Sequence, residues 1–420
     1  MAASIILCVY NIITVALSLF VPNYLKRRVL KGKEDPKRLE ERYGIASVNR
    51  PQGKLVWMHA ASVGETRSAV SLIHALIEEG FNVVLTTGTM TAAAIAEKTL
   101  APIGVIHQYL PMDTRKWAGR FLDHWQPDHV MWVEQELWPN LLYEVHCRNI
   151  PLTLINGRIS EGSFKNWWYA RFLLRHIMRF FTVRFAQSKS DATRFEQLTS
   201  LPFHQVGNLK LTTPPLEYDH KIAEDLASSI KGRPVWLAAS THPGEEELIL
   251  HAHQEILSDH PNALLIVIPR HPNRGNDVAD LAKQHTLSAS LRTRTPRPAD
   301  SDQVYVADTL GETGLFYAVC NLVFMGGSLV PVGGHNPVEP AQFGCQLIYG
   351  PHDNNFRDLL LELSEHHPIN KISNSSELIQ ILRSKVSVSS EFKHDLVKNI
   401  SANHNKNIII KKILTFVNNL

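Results

Sequence analysis

Leu55-Val56-Trp57-Met58-His59-Ala60-Ala61-Ser62-Val63-Gly64-Glu65 begins as a short, mostly apolar run and breaks into a turn of small residues. A helical pattern follows over 67–79. Strand, turn and helix in that order form the repeating unit of a parallel α/β sheet. The alternation continues on both sides of this stretch. Strands are expected over 55–59, 83–87, 105–110, 129–133, 152–155 and 183–187, with helices over 67–79, 91–100, 140–148 and 190–198. A polar stretch over 211–219, carrying Pro214 and Pro215, interrupts the pattern and reads as a linker. Beyond it, strands are expected over 235–239, 264–269, 304–306, 322–325 and 346–349. The expected fold class is therefore α/β, with two Rossmann-like doubly wound domains over 23–213 and 214–386 and a helical tail over 387–420. Two such sheets leave a crevice at the carboxyl ends of their strands, where ligands bind.

Composition agrees with two globular domains. The 420 residues exceed what one hydrophobic core usually organises. Hydrophobic residues at 44% and charged residues at 20% exclude a disordered chain. A net charge of +3 gives no footing for a nucleic-acid partner. Cys8, Cys147, Cys320 and Cys345 are scattered singly, which argues against a disulfide framework or a zinc site. The 21 histidines show no HExxH or similar spacing, so no metal site is expected.

The N-terminus carries a separate signal. Residues 2–21 contain no charged side chain, and Lys26, Arg27, Arg28, Lys31 and Lys33 come directly after. About 20 apolar residues in a helix span a bilayer, and basic residues after the span keep the remainder of the chain in the cytoplasm. A single-pass anchor over 1–22 is expected, with a helix lying on the globular body as the alternative. Further along, Arg171, Arg175 and Arg179 recur at helical spacing beside Trp167, Trp168, Phe172 and Phe180. The stripe suits an anionic lipid surface or is a helix with solvated arginines.

Three stretches carry chemistry. In His59–Glu65, Gly64 permits a tight turn, and Glu65 stands at a helix start. There it can serve as general base towards a hydroxyl or simply cap the helix. In Val133-Glu134-Gln135-Glu136-Leu137-Trp138-Pro139-Asn140, alternate positions of an extended segment make Glu134 and Glu136 neighbours. Either carboxylate can instead bond loop amides. The run Met325-Gly326-Gly327-Ser328-Leu329-Val330-Pro331-Val332-Gly333-Gly334-His335-Asn336-Pro337-Val338-Glu339 allows close backbone approach to a ligand, with helix-start amides suited to an anion. It is neither GxGxxG nor a P-loop. Arg270 can grip a phosphate, Glu339 can accept from a ribose diol, and Thr309-Leu310-Gly311-Glu312 adds a helix start. Asp300-Ser301-Asp302 reads as a solvated turn rather than a metal clamp.

These motifs, together with Asn156-Gly157-Arg158, Gly207-Asn208-Leu209-Lys210 and Ser240-Thr241-His242, resemble the Kdo (3-deoxy-D-manno-octulosonic acid) transferases of Gram-negative bacteria, which have the GT-B fold. The resemblance covers nearly the whole chain. It implies that Glu65 is the proton acceptor and that Glu134 and Lys210 support the transition state. It implies that Pro269, Arg270, Leu310, Gly311, Glu312, Asn336, Pro337, Val338 and Glu339 line a CMP site. The implied donor is CMP-Kdo and the implied acceptor is a lipid A precursor (lipid IVA), at the cytoplasmic side of the inner membrane. No cofactor is implied. Direct displacement would invert the anomeric configuration, and Arg270 with helix-start amides would stabilise the leaving phosphate without a metal. One departure is Thr89-Met90-Thr91-Ala92-Ala93, where the family more often has proline and glycine. A GT-B transferase or epimerase using a UDP-sugar shares the glycine loop. A non-enzymatic, membrane-tethered nucleotide binder would need neither Glu65 nor Glu134.

Overall fold

A computed structural model describes residues 2–134, 136–364, 367–386 and 402–418. The chain divides into two compact units, Met1–Pro214 with His404–Leu420, and Pro215–Asn403, so the division falls inside the expected linker.

In the first unit the strands are β1 (Leu55–His59), β2 (Asn82–Thr87), β3 (Ile106–Tyr109), β4 (His129–Val133), β5 (Leu152–Gly157), β6 (Val183–Ala186) and β7 (His204–Gln205). They form one parallel sheet in the order β3-β2-β1-β4-β5-β6-β7. Every residue of β1 and of β4 is buried, as expected of central strands covered by helices on both faces. Strand order reverses between β1 and β4. The loops leaving those two strands therefore diverge to opposite faces and leave a gap at the carboxyl edge, which is where such folds bind ligands.

The second unit repeats the plan. Its strands are β8 (Val235–Thr241), β9 (Leu264–Pro269), β10 (Ala289–Leu291), β11 (Val304–Val306), β12 (Leu322–Met325), β13 (Gln346–Tyr349) and β14 (Ile369–Lys371). All pairings are parallel, in the order β10-β11-β9-β8-β12-β13-β14, with the reversal between β8 and β12. The two-residue period is plain in β8. Val235, Leu237 and Ala239 enter one buried cluster, and Trp236 and Ala238 enter the cluster on the other face.

The tail does not stand apart. From His404 onward the helix Ala402–Asn418 belongs to the first unit, burying Ile409, Ile413 and Val417 at helical spacing and setting Phe416 against Phe185 and His204. Residues 387–401 of the expected tail lie outside the described residues.

The N-terminus also corrects its expectation. Instead of one helix over 2–21, Ala2–Ser18 and Val21–Leu30 form two helices with a break at Leu19-Phe20. Pro22 is the cause: it has no N–H to give the carbonyl of Ser18. Among the described residues no single helix is long and apolar enough to cross a membrane. The pair Ile5–Ser18 and Val21–Leu30, bent by 61°, reaches that length and composition only together. The first helix packs on the helices Arg171–Met178 and Pro139–Cys147. Leu7 enters the core, Tyr10 Oη donates to Asp113 Oδ2 at 2.8 Å, and Asn140 Nδ2 donates to Thr14 Oγ1 at 2.9 Å. Its other side leaves Ile5, Ile12, Val15 and Leu17 exposed. The arginines of the basic stripe stay together, Arg171 and Arg175 on the helix Arg171–Met178 and Arg179 at its C-cap, whereas Trp167 and Trp168 belong to the preceding helix Glu161–Tyr169. Arg171, Arg175 and Arg179 are exposed with Trp168 and Phe172, whereas Phe180 is buried.

Candidate functional site

At the carboxyl edge of the first sheet, Ser62 caps the helix Val63–Glu78 by accepting from the Glu65 N–H. The Ser-x-x-Glu spacing is a capping box, and here it positions the carboxylate. Glu65 Oε1 accepts from Ser62 Oγ at 2.8 Å and Oε2 from the Ala61 N–H at 2.7 Å. The side chain is 8% exposed, so an edge stays open. Burial, and then the charge of Glu134, raise the Glu65 pKa above the ordinary carboxylate value, against the pull of its two hydrogen bonds. Glu65 thus caps and is also a stronger base than a free carboxylate. Gly64 lies inside the helix without a positive φ, and an added Cβ there would meet nothing within 4 Å. The turn does not need a glycine; the position leaves open space next to Glu65.

Glu134 arrives from β4, across the strand-order reversal. Its φ of +59° is a left-handed conformation unusual for a side-chain-bearing residue. That turn ends the extended alternation, so Glu134 and Glu136 do not act as a facing pair. Glu134 Oε1 takes Lys210 Nζ at 3.2 Å and Asn156 Nδ2 at 3.3 Å. Glu136 Oε2 takes Trp138 Nε1–H at 3.3 Å and lies 3.9 Å from His59 Nε2, too far for a direct hydrogen bond. Asn156, at φ +57°, also holds Lys210's segment, its Oδ1 accepting the Leu209 N–H at 2.9 Å. Left-handed non-glycine residues cost about 1–3 kcal/mol each and cluster at functional sites. Glu134 and Asn156 both sit at this edge. The departure near Thr91 has a simple outcome: Thr89 caps the helix Met90–Thr99 through the Ala92 N–H, so no glycine or proline is required.

The second unit presents its own edge. Arg270 follows β9, its N–H bonded to Thr241 O, and its exposed guanidinium makes no ion pair among the described residues. β11 adjoins β9, which puts the Leu310-Gly311-Glu312 turn on the same side. Gly311 has φ +82° and Leu310 is exposed. Glu312 is already gripped by Arg292, at 2.7 and 3.0 Å, and this pairing holds its carboxyl below the ordinary range. Arg292, Thr293, Arg294, Pro296, Asp308, Thr309, Leu310 and Glu312 line a cavity of about 670 Å³. Arg292 was missed from the sequence, its only signal being the basic run 292–297.

In the glycine-rich run the close approach is to the chain itself. A Cβ at Gly326 would strike the Ser240 backbone, and one at Gly334 (φ +77°) would strike the Tyr349 hydroxyl. The helix there, Val338–Gln342, has five residues, and Asn336 Oδ1 already takes the Val338 N–H at 3.1 Å. The Val338 amide is thus not open to an anion, whereas the exposed Arg270 guanidinium is. Val338 and Pro337 are buried, while Glu339 is half-buried in the first turn. Glu245 ties this loop to the one after β8: its Oε1 accepts from the His242 and Gly327 N–H groups at 2.8 and 2.7 Å. Asp302 is not solvated as expected. It is buried and takes the Ala299 N–H and Ser290 hydroxyl. Among the described residues no group of three or more His, Cys, Asp or Glu side chains could hold a metal ion.

Residues 37–213 match the family model described as 3-Deoxy-D-manno-octulosonic-acid transferase (kdotransferase). The chain is 34% identical over 366 residues to a 3-deoxy-D-manno-octulosonic acid transferase of Haemophilus influenzae, covering 84% of this chain and 83% of the relative. In fold it is similar to a glycosyltransferase from Rickettsia africae, with TM-score 0.57, 12% identity, and 87% and 98% of the two chains covered. It is also similar to the UDP-GlcNAc 2-epimerase of Neisseria meningitidis bound to UDP-GlcNAc, with TM-score 0.57, 13% identity, and 88% and 100% covered. At such identities these two likenesses show the fold alone, two Rossmann-like domains resembling the GT-B glycosyltransferases.

Proposed function

Because this chain belongs to the 3-deoxy-D-manno-octulosonic acid transferase family of glycosyltransferases, we propose that it moves Kdo from CMP-Kdo to a hydroxyl of a lipid A precursor, lipid IVA. The observation that carries the reading is Glu65, a mostly buried carboxyl made more basic by burial and by Glu134. The acceptor hydroxyl gives its proton to Glu65 as its oxygen bonds to the anomeric carbon. The bond from that carbon to the phosphate oxygen breaks, and CMP leaves with the electron pair. Attack opposite the leaving group inverts the configuration. Arg270, exposed and unpaired among the described residues, neutralises the departing phosphate, a charge role that needs no metal. Positive charge grows at the anomeric carbon as the bond breaks, and Glu134, held by Lys210 and Asn156, is a carboxylate suited to stabilise it.

An insoluble acceptor accounts for the apolar surface of the first unit. The exposed side of Ala2–Ser18 and the neighbouring helix Arg171–Met178, with Trp168 and Phe172 beside Arg171, suit attachment to the cytoplasmic face of the inner membrane. The test is mass spectrometry of lipid after incubation with CMP-Kdo and the tetra-acylated precursor, with UDP-sugars in parallel. A mass gain of Kdo is expected with CMP-Kdo alone. A gain only with a UDP-sugar overturns the donor, and an unchanged lipid overturns the acceptor.

A further inference from the structure

The strand-order reversal between β8 and β12 brings together two histidines that the reaction just described does not use. His242 follows β8, and His335 lies in the glycine-rich loop after β12. Their ring planes differ by 5°, and the two Nε2 atoms meet at 2.8 Å. A nitrogen–nitrogen contact of that length holds one hydrogen. One ring donates Nε2–H, and the other accepts at Nε2 and keeps its own proton on Nδ1.

The arrangement is built into both loops. Gly327 lies against both rings, and an added Cβ would press at 3.3 Å on each. Tyr349 Oη donates to the His335 carbonyl at 2.9 Å, and Glu245 accepts the His242 N–H. Both rings stay partly exposed. His242 faces His271, Arg270, Glu246 and Arg274, and His335 faces His242 and Arg270. The one carboxylate among these, Glu246, is already bound at both oxygens by Arg274. Arg270 is the cation common to both rings. Burial, joined by that cation, lowers both imidazole pKa values, His335 to about 4, so in the free protein the pair is neutral near pH 7.

We propose that His242 and His335 form the proton-accepting part of the donor's anion site: an anionic group seated at Arg270 draws one proton onto the pair, which then donates to that group. The stoichiometry follows from the contact. The ring that already donates Nε2–H can take a proton on Nδ1, turn that N–H to the anion, and keep a charge-assisted bond to its partner. A second proton would set two N–H groups head to head. The ligand chemistry is an oxyanion, phosphate or carboxylate, and CMP-Kdo carries both. The inference rests on the CMP-Kdo reading of this unit.

Titration calorimetry of the full chain with CMP, cytidine and CMP-Kdo, in buffers of different ionisation enthalpy near pH 7, counts the protons taken up. His242→Gln and His335→Gln are measured beside the parent, so any protonation of the CMP phosphate itself cancels in the difference. The parent should take up about one proton more than either variant, and its affinity advantage should grow by up to about tenfold per pH unit as pH falls. A difference already present with CMP but absent with cytidine assigns the phosphate; one appearing only with CMP-Kdo assigns the carboxylate. Equal proton counts in parent and folded variants with every ligand overturn the inference and leave the donor reading intact. A parent that binds neither CMP nor CMP-Kdo overturns both. Matching circular dichroism melts establish folding, and His242→Asn and His335→Asn replace any glutamine variant that misfolds.

Discussion

Glu245→Gln tests how the donor loop is held, and its energy can be worked from the geometry. Glu245 is fully buried; its Oε1 accepts from His242 and Gly327, while its Oε2 finds no hydrogen-bond partner among the described residues. Burial outweighs those hydrogen bonds and pushes its pKa from 4.5 up to about 7. Below pH 4.5 the carboxyl is protonated in both folded and unfolded chains, and its contribution to stability is fully present. Between there and pH 7 the unfolded chain releases its proton while the folded chain keeps it, so stability falls as pH rises. At 1.36 kcal/mol per pKa unit, the loss amounts to about 3 kcal/mol by pH 8. Glutamine cannot titrate. The amide nitrogen that the substitution puts in place of Oε2 costs something, but that cost does not vary with pH. Urea unfolding followed by circular dichroism at pH 4.5, 6 and 8 should show the variant gaining on the parent by about 3 kcal/mol across the range. Parallel pH dependence in the two proteins would refute the buried, proton-holding Glu245.

Arg270→Ala removes a charge-assisted phosphate contact of about 1.5–3 kcal/mol, so calorimetry should find CMP bound roughly ten- to hundred-fold more weakly. Unchanged affinity would move the phosphate elsewhere. Glu134→Gln removes a charge that raises the Glu65 pKa, so the acid limb of the kcat/KM profile should move to lower pH. A limb that stays put would mean that Glu65 does not report there. Replacing Arg171, Arg175 and Arg179 by glutamine should weaken binding to anionic vesicles in low salt, with little change in melting temperature. Equal binding would leave these exposed arginines merely solvated.

The fold was legible wherever burial imposed a pattern. β1, β4, β9, β11, β12 and β13 run over the residues expected, because central parallel strands must be apolar along their length. The strands that escaped, β7, β10 and β14, lie at sheet edges, have two or three residues and are largely uncovered, so they carry almost no apolar signal. The same limit applies to the site. Glu65 could be placed from a strand, a turn of small residues and a helix start, all local features. The parting of Glu134 from Glu136 depends on one left-handed residue, and the meeting of His242 with His335 on two loops 93 positions apart. Spacing along the chain does not encode either one. The N-terminal helix was misjudged in length because hydropathy counts Pro22 as a mild residue, whereas its missing N–H ends the helix.

The central claim is that Glu65 takes the acceptor's proton, and Glu65→Gln tests it most directly. Glutamine keeps the shape and can still accept from Ser62 or Ala61, but it cannot receive a proton at these pH values. Single-turnover transfer from CMP-Kdo to the lipid precursor should slow by about 10²–10⁴-fold, which is the usual contribution of a general base. CMP affinity should stay at the parent's value. Near-parental turnover by the folded variant would contradict the account and remove Glu65 from the proton transfer.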